Sequence, residues 1–332
     1  MNKKDILDYL QTTNEQKIKE LFTLADRTRR EYCGDGVYLR GIVEFSSICQ
    51  GTCAYCGLNK NNQKLPRYQM PAEKIYEAAG SIQQAGIKTI VLQSGEDQGL
   101  QPEWLAEIIQ EIKKRYDLSI TLSVGEKNSS TYKLWSEAGA DRYLLKIETT
   151  NSKLYAKLHP GMSLENRLRC LEDLQNIGYQ TGTGIIVGLP EQTPEILAED
   201  VLFFRDKNFD MIGIGPLIPH QATKLKDLPK GSVDLTLRCV ALTRILTKNA
   251  HLPATTSLGS MDKDYRLDGL KAGANVLMPN FTPAQYKGSY EIYPGKRCLD
   301  EPTGQFVLGA ESLESIGRYA DFDRGDSLKK LV

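Results

Sequence analysis

Three cysteines fall close together in the run SSICQGTCAYCG, residues 46–57: Cys49, Cys53 and Cys56, spaced C-x3-C-x2-C. Thiolates at this spacing suit zinc or an iron–sulfur cluster. A structural zinc site takes four protein ligands, and the nearest histidine in sequence, His159, lies far along the chain. A zinc knot or three free thiols therefore lacks a fourth partner nearby. A cubane cluster held by three thiolates leaves one iron open, and an open metal position can take a small chelating ligand. The fourth ligand would then be a bound molecule and not a side chain.

A regular framework must hold these cysteines. Short β-rich runs are expected at 37–45, 89–94, 119–124, 142–148, 182–187, 211–216, 254–258 and 275–278. Amphipathic helical stretches separate them, at 72–85, 103–115, 129–138, 152–158, 164–176, 194–207, 234–249 and 262–271. One helix-to-strand junction recurs, as Ala85-Gly86, Ala138-Gly139, Ile177-Gly178 and Ala272-Gly273. Glycine closes a helix in the left-handed conformation without a Cβ penalty. A strand–helix unit used repeatedly makes parallel strands with right-handed crossovers. Eight of them point to an α/β fold, a (β/α)8 TIM-type barrel, with a doubly wound open sheet as the competitor. The cysteines lie on the loop after the first strand. Chemistry in a barrel sits at that end, and a loop as long as 46–69 is commonly functional. Residues 1–35 read as an N-terminal helical extension broken near Thr12–Asn14, residues 36–300 as the barrel, and 301–332 as a tail with a short helix near 311–319.

Composition bounds the partners. Among 332 residues, 42 Lys plus Arg balance 42 Asp plus Glu, which argues against nucleic-acid binding by bulk charge. No apolar run is long enough to span a bilayer. The start, MNKKDILDYLQTTNEQ, lacks the apolar stretch of a secretory signal, so a cytoplasmic protein is expected. Seven cysteines, an odd number in such a chain, do not suggest a disulfide framework.

The C-x3-C-x2-C run with Tyr55 before its third cysteine resembles that of radical S-adenosylmethionine (SAM) enzymes. The resemblance implies one 4Fe–4S cluster on Cys49, Cys53 and Cys56, with SAM chelating the open iron and cleaved to a 5′-deoxyadenosyl radical. Ser94-Gly95-Glu96-Asp97 resembles the family's GGE element, so Gly95 and Glu96 are expected at SAM. Glu148 matches the acid that holds SAM, and Arg167 the arginine that pairs with its carboxylate, a geometry suited to a guanidinium fork. The segment around Ile186 is similar to the adenine-supporting GxIxGxxE run, and the strand holding Ile214 can offer backbone groups to the adenine edge.

The runs EFSSICQGTCAYCGLNKNNQKLPRYQM, TIVLQSGED, AGADRYLL, GIIVGLPEQT, FDMIGIGPLIPH, LPATTSLG and GANVLMPNFTP resemble the HydE family of FeFe-hydrogenase maturases, over about residues 20–300. That likeness implies a small anionic substrate inside the barrel, an iron complex carrying carbonyl, cyanide and cysteine. It also implies an electron donor and the maturases HydG and HydF as partners. Residues matching cavity positions are Thr121, Lys146, Met211, Thr255, Thr256, Tyr290 and Tyr293. Thr255 and Thr256 carry hydroxyls to the barrel mouth, and Tyr290 and Tyr293 are expected to cover it. The chain departs from the family in two places. Lys146-Ile147 stands where Arg-His is usual, which keeps the charge and loses the fork. Of an auxiliary-cluster C-x7-C-x2-C run only Cys298 is present, with Phe306 and Gly309 at the other positions, so no second cluster is expected. His159 and His251 read as incidental and His220 as structural. Two alternatives stay open: a biotin synthase-like or methylornithine synthase-like radical enzyme, and a non-catalytic iron–sulfur or metal-binding protein.

Overall fold

The computed structural model of the chain describes residues 1–296 and 310–329. The elements run α1 (Lys3–Gln11), α2 (Glu15–Cys33), β1 (Gly36–Leu39), β2 (Gly41–Ser46), α3 (Ala72–Gln84), β3 (Thr89–Ser94), α4 (Pro102–Arg115) and β4 (Ser119–Ser123). They continue with α5 (Ser129–Glu137), β5 (Arg142–Leu144), α6 (Ser152–Leu158), α7 (Leu164–Ile177), β6 (Gln180–Val187), α8 (Pro194–Asp206), β7 (Met211–Pro216) and α9 (Val233–Thr247). The last are α10 (Thr256–Gly259), α11 (Arg266–Lys271), β8 (Val276–Leu277), α12 (Ala284–Lys287), α13 (Ala310–Glu314) and β9 (Tyr319–Asp321).

β2 to β7 form one parallel sheet in chain order. Parallel neighbours need a crossover, and helices supply it. Parallel bridges then close the sheet on itself: Met211 to His251, Pro253 to Val276, and Ile42 to Asn280. This is the expected (β/α)8 architecture. All four junction glycines take positive φ, 77° at Gly86, 112° at Gly139, 101° at Gly178 and 110° at Gly273.

Two expected strands need correction. The first, 37–45, is parted at Arg40 into β1 and β2, and β1 leaves the barrel ladder to pair with β8 and β9. The seventh, 254–258, does not form. Its pairing is confined to the bridges at His251 and Pro253, and Thr256–Gly259 is helical. Pro253 has no N–H to extend a ladder, and the chain turns into α10 directly after Thr255.

Strand alternation sorts the side chains. Val43, Phe45, Ile90, Leu92, Ile120, Leu122, Ile185 and Ile214 pack in the main core with the helices, so Glu44, Gln93, Thr121, Gly184 and Gly215 face the barrel axis. The two leading helices are parted where Asn14 caps α2 by accepting from the Lys17 amide at 3.1 Å.

The tail does more than append a helix. After β9 it crosses the floor of the barrel. Arg142, fully buried, donates to Arg324 O at 2.9 Å and to Asp326 at 2.5 Å. His251 bonds Asp326 O at 2.9 Å, and Thr89 Oγ1 donates to Arg324 O at 2.8 Å. The returning tail thereby covers this end of the barrel. Among the described residues no helix is long and apolar enough to cross a membrane.

Candidate active site

The cysteine loop leaves β2 at the open mouth. Its backbone is fastened to the turn after β3 and to the end of α6: Gly95 N to Ser46 O at 3.1 Å, Gln50 N to Glu96 O at 2.9 Å, and Ala54 N to Leu158 O at 2.8 Å. Gly95 is required there, because a Cβ would collide with Ile48 O and lie 2.6 Å from Cys49 Cβ. A Cβ on Gly51 would sit 3.4 Å from Cys49 Sγ and 3.6 Å from Cys53 Sγ, so those two sulfurs share the space under one turn.

Burial pushes all three thiols up, Cys53 to about 12, with neighbouring cysteines adding to the rise at Cys53 and Cys56. Three half-buried thiols whose thiolates would repel one another ionise together only around a cationic centre. Among the described residues no three His, Cys, Asp or Glu side chains gather tightly enough for a single ion. A cubane offers each thiolate its own iron, and soft sulfur donors suit it. The donor set therefore fits a 4Fe–4S cluster better than a zinc knot.

Beside the loop lies a buried charged group. Glu148 ends the β5 stave with φ +63°, a left-handed backbone unusual for a residue with a Cβ. Its amide is held by Gly184 O at 2.9 Å. Lys146 Nζ lies 3.0 Å from Glu148 Oε2, as an ion pair without hydrogen-bond alignment. Arg167, on α7, is 6% exposed, which rules out a helix-surface ion pair. Its Nε reaches Glu126 at 2.8 Å and the Tyr155 hydroxyl at 3.2 Å, and its Nη2 lies 3.6 Å from Glu96. Burial opposes the guanidinium charge, but Glu96, Tyr155 and Glu126 outweigh it and raise the pKa. Glu96 also accepts the Glu126 amide at 2.8 Å, so its carboxylate knits two stave ends together. Glu96, Arg167 and Glu148 all bear on the Cys53 sulfur.

Three contributors escaped the sequence reading. Glu126 and Tyr155 complete the shell of Arg167, and no motif marks either. His159, read as incidental, is buried, and its Nε2 is 2.9 Å from the Tyr55 hydroxyl. Burial holds its ring well below the usual histidine range, at about 3, and Arg167 adds to this. It thus stays neutral and locks the aromatic that precedes Cys56.

Inside the barrel, Gly184 and Gly213 leave a gap under the Lys146 chain, whose Cε would lie 2.8 Å from a Cβ on Gly184. The Thr121 hydroxyl is buried with no partner. Met211 lies low, with Arg40 Nη1 2.7 Å from its sulfur. Thr255 Oγ1 donates to Ile214 O at 3.3 Å and sits 3.0 Å from Ser257 Oγ. Ser257, unnoticed in the sequence, fills the space over Gly215. Thr256 opens α10 and is half-buried. Ile186 packs with Tyr55, Leu154 and Leu158. The Ile214 side chain lies in the outer core, so its backbone, the part expected to serve, is what borders the interior. One expectation is corrected. Tyr290 is not an open cover: it is 1% exposed and packs against Leu58, Leu65, Cys49 and Cys56, because the segment after β8 folds down onto the cysteine loop. Tyr293 is half-buried in that segment. His220 is buried, 3.6 Å from Glu291. Cys298, Phe306 and Gly309 lie outside the described residues. A polar cleft of about 590 Å³ opens beside the loop, lined in part by Gln50, Thr52, Lys60, Glu96, Glu126 and Arg169.

Comparison with known proteins bears on this site. The model of the radical SAM superfamily matches residues 43–204. The chain is 47% identical to the [FeFe] hydrogenase maturase subunit HydE of Thermotoga maritima, over 97% of this chain and 93% of the relative. It is 27% identical to 3-methylornithine synthase of Methanosarcina acetivorans, over 94% and 88%. In fold it is similar to the crystal structure of methylornithine synthase (PylB), with a TM-score of 0.84, 24% identity and coverage of 96% and 94%. The maturase HydG gives a TM-score of 0.82 at 17% identity, over 97% of this chain and 73% of that one.

Proposed function

Because this chain belongs to the radical SAM superfamily and, within it, to the HydE family of FeFe-hydrogenase maturases, we propose that it turns SAM into a radical initiator for a small anionic substrate held inside the barrel. The family implies a 4Fe–4S cluster and SAM, and a role in hydrogenase maturation. The finer reading is one cluster, on Cys49, Cys53 and Cys56. Its substrate is an iron complex carrying carbonyl, cyanide and cysteine, supplied and taken up by partner maturases of the HydG and HydF kinds. When bound, the cluster supplies the single electron that cleaves SAM to methionine and the 5′-deoxyadenosyl radical.

The observation that carries this reading is the meeting of three thiols free of any disulfide with Glu148 and Arg167 at one mouth. Lys146, Arg167, Glu96, Glu126 and Glu148 sum to a formal charge of −1. SAM carries a carboxylate, an ammonium and a sulfonium, net +1, so the two are complementary. Arg167 suits the carboxylate, Glu148 the ribose or ammonium, and the backbone at Gly95 the close approach of the methionine end. The closed floor and the packed loops exclude water from the interior. Below the SAM end, the Lys146 ammonium and the idle Thr121 hydroxyl offer a cation and a donor to an anion. The greater identity to the HydE relative than to 3-methylornithine synthase favours maturation over a mutase reaction.

Anaerobic reconstitution followed by iron analysis, EPR with and without SAM, and assay of 5′-deoxyadenosine tests the reading. About four irons per chain, a spectrum altered by SAM and deoxyadenosine product are expected. Zinc in place of iron, or a cluster indifferent to SAM, would overturn it in favour of a metal-binding protein.

A further inference from the structure

One buried acid stands outside the site and outside the mechanism. Asp200 lies on α8, with none of its surface exposed. Its Oδ1 accepts both the amide and the hydroxyl of Thr150, each at 2.6 Å. Its Oδ2 has no hydrogen-bond partner. The leading influences on it are burial, then Thr150, Glu199 and Thr149, none of them a cation, and burial pushes its carboxyl up to about 6. A buried carboxylate served only by the neutral donors of Thr150 and Thr149, with no cation among its leading influences, is costly to keep. Such a breach of local economy is expected where a site needs it.

What it holds is the turn after Glu148. Glu148 adopts its left-handed backbone two residues before Thr150, a conformation that persists only where the surroundings enforce it. Asn151 follows and caps α6, its side chain accepting the Leu154 amide at 2.9 Å. α6 then carries Tyr155 to Arg167 and Leu158 to the cysteine loop. The Thr150 anchor thus fixes the turn that joins Glu148 to α6 and, through Tyr155, to Arg167.

We propose that Asp200 is a positioning residue for SAM: by pinning Thr150 to α8 it holds Glu148 in its left-handed backbone with the carboxylate turned into the barrel. The inference rests on the reading of Glu148 as a SAM contact. The other titratable groups near Asp200 are Cys239 on α9, which feels its charge, and Glu199, which points away to Lys3 on α1 at 2.7 Å. Arg238, also on α9, turns its Nη atoms to Asp234 and the carbonyls of Tyr9 and Thr12, not to Asp200. The Thr150 donors therefore answer to Asp200 itself. They are held most tightly when it is ionised, above about pH 6. The stability balance runs the other way. A carboxyl raised in the fold contributes stability at low pH that is lost as pH rises through its folded value.

These opposed signs make the test. SAM affinity by equilibrium dialysis, melting temperature and iron content would be measured between pH 5.5 and 8 on the reconstituted wild type, Asp200→Asn and Thr150→Val. Asp200→Asn should melt no lower than wild type at pH 7.5 and keep its iron, yet bind SAM on the order of tenfold more weakly. Its affinity should also lose the decline that wild type shows on crossing pH 6. Thr150→Val should weaken SAM in the same direction. A SAM affinity in Asp200→Asn within twofold of wild type, with the same pH profile, would overturn the inference alone. A wild type that binds no SAM would overturn the reading of the site together with it.

Discussion

Removal of the Arg167 guanidinium isolates the electrostatic argument for the site. Arg167→Ala leaves two carboxylates, Glu96 and Glu126, facing each other in a pocket where their side chains are 22% and 12% exposed. Breaking one side of a buried pair costs about 3–5 kcal/mol. Glu96 keeps the Glu126 amide at 2.8 Å and Glu126 keeps Asn166 Nδ2 at 2.6 Å, so the lower end applies, about 3 kcal/mol. With an unfolding entropy of about 2.1 cal/mol/K per residue, the 332-residue chain should melt about 4 °C lower. The deficit should depend on pH. Burial already raises the Glu126 carboxyl, and Arg167 is the first group that pulls it back. Without Arg167 that carboxyl rises further, and its proton at low pH relieves the repulsion. A group raised in the fold loses its stabilising contribution as pH climbs through its folded value, so the variant's deficit should widen from pH 5.5 to pH 8. Differential scanning calorimetry of both proteins at those two values, with SAM affinity and iron content alongside, decides the matter. A deficit under about 1 °C, or the same deficit at both pH values, would refute the buried-pair reasoning. Unchanged SAM affinity would remove Arg167 from the SAM contacts.

Cys56→Ala should abolish bound iron and SAM cleavage together, since two thiolates do not hold the cluster; a variant that keeps both on analysis would sink the ligand assignment. Glu148→Gly relieves a left-handed residue at a cost saved of about 1–2 kcal/mol, so its melting temperature should hold or rise while SAM affinity falls at least tenfold; a fall in both would mean the turn, and not the carboxylate, is what matters. At the floor, burial opposes the Asp326 charge, but Gln180 and Arg142 outweigh it and depress its carboxyl. That contribution is present above the ordinary carboxylate value and is lost as pH falls through the folded one. Asp326→Asn should therefore destabilise at pH 7 by about 1–2 kcal/mol, a buried-pair loss discounted because Asp326 is half-exposed, with the difference from wild type shrinking towards pH 3; parallel acid-denaturation curves would contradict this.

By itself the sequence determined the period, the punctuation and the thiols. Alternating strand and helix patterns, with a glycine closing four of the helices, are local consequences of side-chain volume and backbone freedom. They suffice to specify parallel staves and to put the cysteine loop at their reactive end. The cysteine spacing likewise needs no tertiary information, because three soft donors within one loop suit a shared metal centre. Tertiary structure alone decided which charges meet. Glu126 from the loop after β4 and Tyr155 from α6 converge on Arg167, and His159 reaches Tyr55 across more than a hundred residues, pairings that no local pattern encodes. It also decided where the regular pattern gives way. Pro253 ends the seventh ladder because it has no N–H to donate. The polar tail closes the floor because buried Arg142 and His251 need acceptors that only a returning chain can bring. Ile214, apolar in either setting, turned outward through strand parity, which is settled by pairing register and not by residue type.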